Sequence, residues 1–244
     1  MPARTASELA AYADRSRRLL AVFPHPDDES YGPAAALART ARHGDGAAAY
    51  LCLTRGEASS LGRERGLSPE EVAALREERL LRVAEILPLQ GLVIRDFPDG
   101  GLAFRPLDEV AASIGEVLDA FRPQVVIGHD PRGVNGHLDH VAAHWALRHA
   151  LLTRPEIRLA MVAYTPDIVE ELKPRLMFPT PVEAVDVEIV MTDEEAEAKE
   201  AVLRVHDALI TVRDDAPPEL IRRPRVERFS WLRDTHGPPA PDLF

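Results

Sequence analysis

The sequence predicts an α/β fold: a mostly parallel sheet, Rossmann-like in layout, with helices on both faces. Two patterns carry this expectation. Short apolar runs at 18–23, 47–54, 91–95 and 124–129 alternate with helical stretches at 30–43, 68–87 and 107–121, as in consecutive strand–helix–strand units. Two of the runs, Leu19-Leu20-Ala21-Val22-Phe23 and Val125-Val126-Ile127, are each followed by a cluster of histidine and aspartate. Ligands of such sheets bind outside the carboxyl ends of the strands, so a site is expected where these two ends meet.

In chain order, residues 6–17 read as a short helix and 18–23 as the first strand. The alanine-rich stretch 30–43 reads as a helix that stops near Gly44-Asp45-Gly46, and 47–54 as the second strand. Residues 55–67 contain three glycines and no apolar period, and read as a loop. The strongest helix follows: Ser68 can cap it, Pro69 suits its first turn, Glu71 completes a capping box, and Pro88 ends it. Its apolar stripe of Val72, Leu75, Leu80, Val83 and Leu87 also contains Arg76. A charge on that face either snorkels or pairs with a core carboxylate, or else reaches a pocket. Residues 91–95 read as a strand and Phe97-Pro98-Asp99-Gly100-Gly101 as a turn. A helix at 107–121, a strand at 124–129, a loop at 130–136 and a helix from His137 to about Leu152 follow. Further strands are expected at 159–165 and 184–191, and a helix at 193–209 capped by Thr192 or Asp193. The segment 214–244 is rich in proline and charge, but its Phe229 and Trp231 suggest that it packs on the body, making 1–244 one domain with a tail.

Composition narrows the function. A length of 244 residues suffices for one full core, and 45% hydrophobic with 28% charged residues is ordinary for a globular protein. The net charge of −11 argues against nucleic-acid or anionic-membrane partners. One cysteine, Cys52, excludes an internal disulfide and reads as a small core residue. Charges interrupt any apolar leader between Ala6 and Arg18. No apolar run approaches the ~20 residues of a membrane span. The expectation is a cytoplasmic enzyme.

The candidate metal ligands are His25, Asp27, Asp28, His137, Asp139 and His140, with His129 and His144 as outliers. A catalytic zinc usually takes three protein ligands and keeps one open position. His25 and Asp28 are three apart in a loop leaving a strand and can face one ion; His137 and His140 are three apart at a helix entry. A set of His25, Asp28 and His140 leaves Asp27 and His137 beside the metal as a base and an acid, the pair that metal-assisted amide hydrolysis needs. Each piece has a plainer reading. His-Pro-Asp at a strand end serves turns, Asp139 can be a helix cap, and His144 and His149 suit packing or surface positions. Nucleophile-elbow, Walker and dinucleotide-binding glycine motifs are missing from the sequence.

Taken together, His25-Pro26-Asp27-Asp28-Glu29, Thr54-Arg55-Gly56-Glu57 and Gly136-His137-Leu138-Asp139-His140 resemble the LmbE-like (PIG-L) family of metal-dependent N-acetylglucosaminyl deacetylases. The three motifs occur in the family's order and cover roughly the first 150 residues. The resemblance implies a Rossmann-like fold and a zinc site of His25, Asp28 and His140, with ferrous iron as a second candidate. It makes Asp27 the general base. His137 becomes the group that stabilises the oxyanion and protonates the leaving amine, and Asp139 the residue that orients His137. Arg76 and Asp99 become contacts to the sugar. It also implies a small amino-sugar substrate and a homo-oligomer, trimeric or hexameric, as one assembly state open to the chain. Leu138 stands where proline is frequent and Arg79 where glutamate is common, which bears on substrate identity rather than chemistry. An amidase for a thiol conjugate or an antibiotic sugar is the nearest competitor. Two histidines and a carboxylate also suit an iron oxygenase, but those sit on β-sandwiches. A sugar- or metal-binding protein without turnover would not need Asp27 and His137 intact.

Overall fold

The computed structural model describes residues 2–172, 177–206, 225–232 and 239–244. Among them, seven strands form one sheet: β1 (Arg17–Phe23), β2 (Gly46–Thr54), β3 (Gly91–Phe97), β4 (Val125–Gly128), β5 (Arg158–Val162), β6 (Val187–Val190) and β7 (Val226–Trp231). Their order is β3-β2-β1-β4-β5-β7-β6. The first five pair in parallel, and β7 runs antiparallel to both β5 and β6. The helices are α1 (Ala6–Leu9), α2 (Asp28–Tyr31), α3 (Ala34–Arg42), α4 (Leu61–Arg65), α5 (Pro69–Ile86), α6 (Leu107–Phe121), α7 (Gly133–Gly136), α8 (Leu138–Leu151), α9 (Pro166–Leu172) and α10 (Asp193–Val205). None in the described residues is long and apolar enough to cross a membrane.

The sheet is the mostly parallel α/β sheet that the apolar runs predict. Side chains alternate across a strand, and β1 shows what each face buries. Leu19, Ala21 and Phe23 pack with Leu37 of α3, Leu80 and Val83 of α5 and Val202 of α10. Leu20 and Val22 pack with Ile114 and Phe121 of α6 and Leu147 of α8. Cys52 is buried in the first of these layers, as its apolar run suggests.

Several elements differ from the expectation. The helix read at 30–43 is two, α2 and α3, separated at Gly32-Pro33, where proline has no N–H to continue the ladder. The helix read at 6–17 shrinks to α1 and a 3₁₀ turn over Ala10–Tyr12. The loop at 55–67 contains α4, and α9 has no counterpart in the sequence reading. The capping box of α5 forms, with the Glu71 N–H donating to Ser68 Oγ at 3.3 Å and the Ser68 N–H to Glu71 Oε2 at 2.8 Å. Thr192, not Asp193, caps α10. Residues 207–209 of that expected helix and 214–224 and 233–238 of the expected tail lie outside the described residues. Within that segment Val226–Trp231 forms β7, with Phe229 fully buried.

The order places β1 between β2 and β4. The chain winds one way from β1 to β2 and β3 and the other way from β4 to β5, so a crevice opens outside the carboxyl ends of β1 and β4. Strand β1 ends at Phe23, two residues before His25, and β4 at Gly128, from which a loop carrying α7 leads to His137.

Candidate metal centre

Two loops build the site. After β1 the His25 N–H donates to Asp28 Oδ2 at 2.9 Å, folding the loop onto the first turn of α2. After β4, Asp130 Oδ1 accepts the Val134 N–H at 2.7 Å and gathers the chain into α7. Gly133 sits there at φ 66°, and a Cβ on it would lie 2.9 Å from His140 Cβ, so glycine is required for the loop to close on that ring. His137 caps α8, its Nδ1 accepting the Asp139 N–H at 3.2 Å.

The structure brings the three expected ligands together. His25 Nδ1 lies 3.2 Å from His140 Nε2 and 3.7 Å from Asp28 Oδ2, and His140 Nε2 lies 3.5 Å from Asp28 Oδ1. A tetrahedral zinc with ligands at roughly 2.0–2.1 Å separates its ligand atoms by about 3.3–3.4 Å. The donor spacing therefore fits such an ion. The outer nitrogens are held as metal sites hold them. His140 Nδ1 is 3.2 Å from the Gly133 carbonyl, which leaves Nε2 facing the cluster. His25 Nε2 is 3.2 Å from Asp139 Oδ2 and 3.1 Å from Asp99 Oδ1, which leaves Nδ1 facing it. The His137 ring also reaches the cluster, its centroid 4.7 Å from that of His25. His129 stacks on His140 at 3.9 Å, with its Nε2 3.4 Å from Asp28 Oδ1. His144 is buried, and its Nδ1 bonds the His129 carbonyl at 2.8 Å. His149 is half-exposed beside Asp108.

The remaining expected site residues surround the cluster, with partners that the sequence did not indicate. Asp27 adopts φ 129°, in the left-handed region that costs a residue with a side chain about 1–3 kcal/mol. Its Oδ2 is 3.0 Å from Arg76 Nη2. Arg76 is buried, as its place in the apolar stripe of α5 implies, and also donates to the carbonyls of Pro26 and, at 3.1 Å, Gly56. Asp99 Oδ2 accepts the Ala58 N–H at 3.0 Å while its Oδ1 faces His25. Asp139 is fully buried and accepts the N–H groups of Gly100 at 2.7 Å and Leu102 at 3.0 Å. The resemblance had Asp139 orienting His137, but its carboxylate turns inward to His25, and only its backbone N–H meets the His137 ring.

These contacts set the charges. Burial lowers the His25 pKa, but the hydrogen bonds of Asp139 and Asp99 outweigh it and push it up to about 10. Burial takes His140 down to about 3, although Asp28 opposes it. Burial raises Asp28, yet the surrounding imidazoles hold its carboxyl well below the usual range. Burial, countered by Arg76 and reinforced by Asp28, pushes Asp27 up to about 6 even though 35% of its side chain remains open to solvent. Burial, then the nearby His25 charge, lowers His137.

Two residues at this site escaped the sequence reading. Glu29 is fully buried one position past Asp28, and His206 Nε2 meets its Oε1 at 2.8 Å across 177 positions of sequence. Glu29 lies in a motif already singled out; His206 carries no local signal at all.

The relatives can now be set beside this geometry. A probable N-acetyl-α-D-glucosaminyl L-malate deacetylase 2 of Bacillus anthracis is 39% identical over 145 residues, covering 57% of this chain and 62% of the relative. A 1D-myo-inositol 2-acetamido-2-deoxy-α-D-glucopyranoside deacetylase of Kineococcus radiotolerans is 35% identical over 166 residues, covering 57% of this chain and 46% of the relative. The chain thus spans about half to three-fifths of the length of these relatives. Among solved structures, teicoplanin deacetylase Orf2 superposes with a TM-score of 0.68 at 17% identity, covering 88% of this chain and 97% of that one. GalB, a 4-carboxy-2-hydroxymuconate hydratase of Pseudomonas putida, superposes with a TM-score of 0.58 at 20% identity, covering 91% of this chain and 98% of that one. The fold therefore does not choose the reaction by itself. The model of the PIG-L family, GlcNAc-PI de-N-acetylase, matches residues 20–151, the stretch that contains both ligand loops, Arg76 and Asp99, and this chain belongs to that family.

Proposed function

We propose that the protein is a metal-dependent hydrolase that removes the acetyl group from an N-acetylated amino sugar, as part of an N-acetylglucosaminyl conjugate. One observation carries the reading: His25 Nδ1, His140 Nε2 and the Asp28 carboxylate converge at 3.2–3.7 Å, while Asp27, next to Asp28 in the chain, holds its carboxylate on Arg76 and outside the ligand set. His25, Asp28 and His140 would hold the cation. Zinc is the ion we assign, and ferrous iron is its competitor, because two imidazoles and a carboxylate suit both. When bound, the cation supplies Lewis acidity to a water and to the amide carbonyl.

The chain's own groups do the rest. Asp27 accepts the proton of the attacking water, and a carboxyl raised to about 6 can hold that proton at neutral pH long enough to pass it on. His137 Nδ1 is occupied by the Asp139 N–H, so a neutral ring carries its proton on Nε2. That proton donates a hydrogen bond to the carbonyl oxygen as negative charge develops there. We assign protonation of the departing nitrogen to Asp27, since His137 cannot take a second proton at Nδ1 without losing its cap. The products are acetate and a free amine. Arg76 holds Asp27, and Asp99 and Asp139 hold His25; a sugar hydroxyl that used Arg76 or Asp99 would have to share them. We also assign the protein to a reducing cytoplasm, on the strength of its single, buried Cys52.

Fluorescamine detection of free amine tests the reading. The panel is N-acetylglucosamine, N-acetyl-α-D-glucosaminyl L-malate and the inositol conjugate 1D-myo-inositol 2-acetamido-2-deoxy-α-D-glucopyranoside. Amine should appear with zinc-restored protein and not with metal-stripped protein. Zinc-loaded protein that released no amine from any acetylated sugar would overturn it.

A further inference from the structure

We infer that His206 is a positioning residue for Asp27, acting through the buried carboxylate of Glu29. This deepens the proposed reaction and rests on Asp27 being its base.

The starting point is the backbone. Asp27 stands at φ 129° without being glycine, and such a conformation persists only where its surroundings over-determine it. Two sets of contacts do so. On one side, Arg76 donates to Asp27 Oδ2 at 3.0 Å, to the Pro26 carbonyl and to Gly56 O at 3.1 Å. On the other, the Asp27 N–H donates to Glu29 Oε2 at 3.1 Å. Glu29 can hold that N–H only if its own carboxylate is fixed. It is fully buried, and Glu29 Oε1 accepts Ser30 Oγ at 2.6 Å and His206 Nε2 at 2.8 Å. His206 is the partner of Glu29 that comes from a distant part of the chain. It follows the last residue of α10, where its N–H bonds Val202 O, and its carbonyl accepts Arg79 Nη1 at 3.2 Å. Helix α5 thus touches Asp27 directly through Arg76 and indirectly through Arg79, His206 and Glu29.

His206 lies beyond the residues 20–151 of the family match. Glu29 is fully buried, and His206 is 7% exposed with its Nε2 taken up by Glu29. Removing the imidazole would leave a buried carboxylate short of a donor. Glu29 would turn, and Asp27 would lose the bond that fixes its unusual backbone. The metal ligands take no hydrogen bond from His206 in the described contacts. The loss should therefore fall on the chemical step rather than on substrate or metal binding.

The test compares H206A and H206Q in the zinc-loaded full chain, at a temperature where circular dichroism shows both folded. The assay follows amine release from N-acetyl-α-D-glucosaminyl L-malate. Zinc affinity comes from chelator competition, and NMR reports hydrogen exchange at the Asp27 amide. H206A should lose about 10- to 100-fold in kcat, with KM and zinc affinity within about twofold, and its Asp27 amide should exchange at least about tenfold faster. H206Q, which returns a side-chain N–H, should recover most of kcat and of the amide protection. A loss confined to KM or zinc affinity, an H206A kcat within about threefold of wild type, or a folded H206Q no better than H206A would overturn the inference. If the wild type releases no amine from any acetylated sugar, the reaction reading fails. Amide exchange then still decides the positioning claim: an Asp27 amide as protected in H206A as in wild type refutes it, and one that opens and is restored by H206Q upholds it.

Discussion

Asp27 is the residue on which turnover should depend most while the metal site survives its loss. A general base contributes about 10²–10⁴-fold, so D27A should lose at least about a hundredfold in kcat and still bind one equivalent of zinc by chelator competition; a variant that stays active shows the base lies elsewhere. Gly56 is a second test, because its φ of 72° and the Arg76 guanidinium packed against it leave no room for a Cβ. G56A should displace Arg76 from Asp27 and lower kcat by about tenfold or more, in keeping with the cost of misplacing a catalytic group, with zinc affinity preserved; an unchanged kcat would detach Arg76 from the chemistry. At this scale the sequence was legible wherever chemistry and local spacing coincide. His25 and Asp28 share one loop, and His140 begins a helix, so their types and spacing point at an ion. The contacts of Asp139 and Asp99 with His25 were not legible, because they depend on where two turns from different strand ends meet in space.

Among the elements, α10 shows how a helix is pinned from outside itself. Glu195 belongs to its capping box and also takes Arg39 of α3 at 2.7 Å from both Nε and Nη2. Burial raises the Glu195 pKa, but Arg39 and the Thr192 N–H lower it further, and the net shift is downward. A folded-state value below the unfolded one gives stability that is present above the unfolded pKa of about 4.3 and is lost as pH falls through the folded value. E195Q should therefore cost about 1.5–3 kcal/mol at pH 7 in urea unfolding. Its deficit against wild type should shrink steadily below about pH 4; a deficit that stays constant to pH 3 would refute the linkage. The boundaries of α5 were legible from its cap, its prolines and its apolar period. The division of α2 from α3 rests on one Gly-Pro pair inside an alanine-rich stretch, and α9 opens on Thr165-Pro166-Asp167, a local helix start next to the stretch 159–165 that reads as a strand.

The whole molecule is closed by its last strand. Strand β7 enters between β5 and β6, and its Glu227 reaches back to the beginning of α3. There it accepts the N–H groups of Ala35 at 2.8 Å and Ala36 at 2.9 Å and pairs with Lys199 at 2.7 Å. Glu227 is buried and the Lys199 side chain is 15% exposed, so E227A leaves the Lys199 cation with only the Tyr31 and Gly32 carbonyls and no counter-charge, and the Ala35 and Ala36 N–H groups without their acceptor. It should cost about 3 kcal/mol or more in urea unfolding; a loss below about 1 kcal/mol would mean that the strand contributes little to closure. The interior of the sheet was legible because strands buried on both faces are continuous apolar runs. The run Val226-Glu227-Arg228-Phe229-Ser230-Trp231 mixes charge with apolar residues, for its carboxylate and guanidinium serve distant partners, and so only its packing and not its strand was foreseen. The central claim is that loops a hundred residues apart grip one cation, and a crystal structure of the zinc-loaded protein with anomalous data at the zinc edge tests it most directly. The account predicts one peak within about 2.0–2.2 Å of His25 Nδ1, His140 Nε2 and an Asp28 oxygen, with Asp27 unligated; a peak elsewhere, or one ligated by Asp27 in place of Asp28, would contradict it.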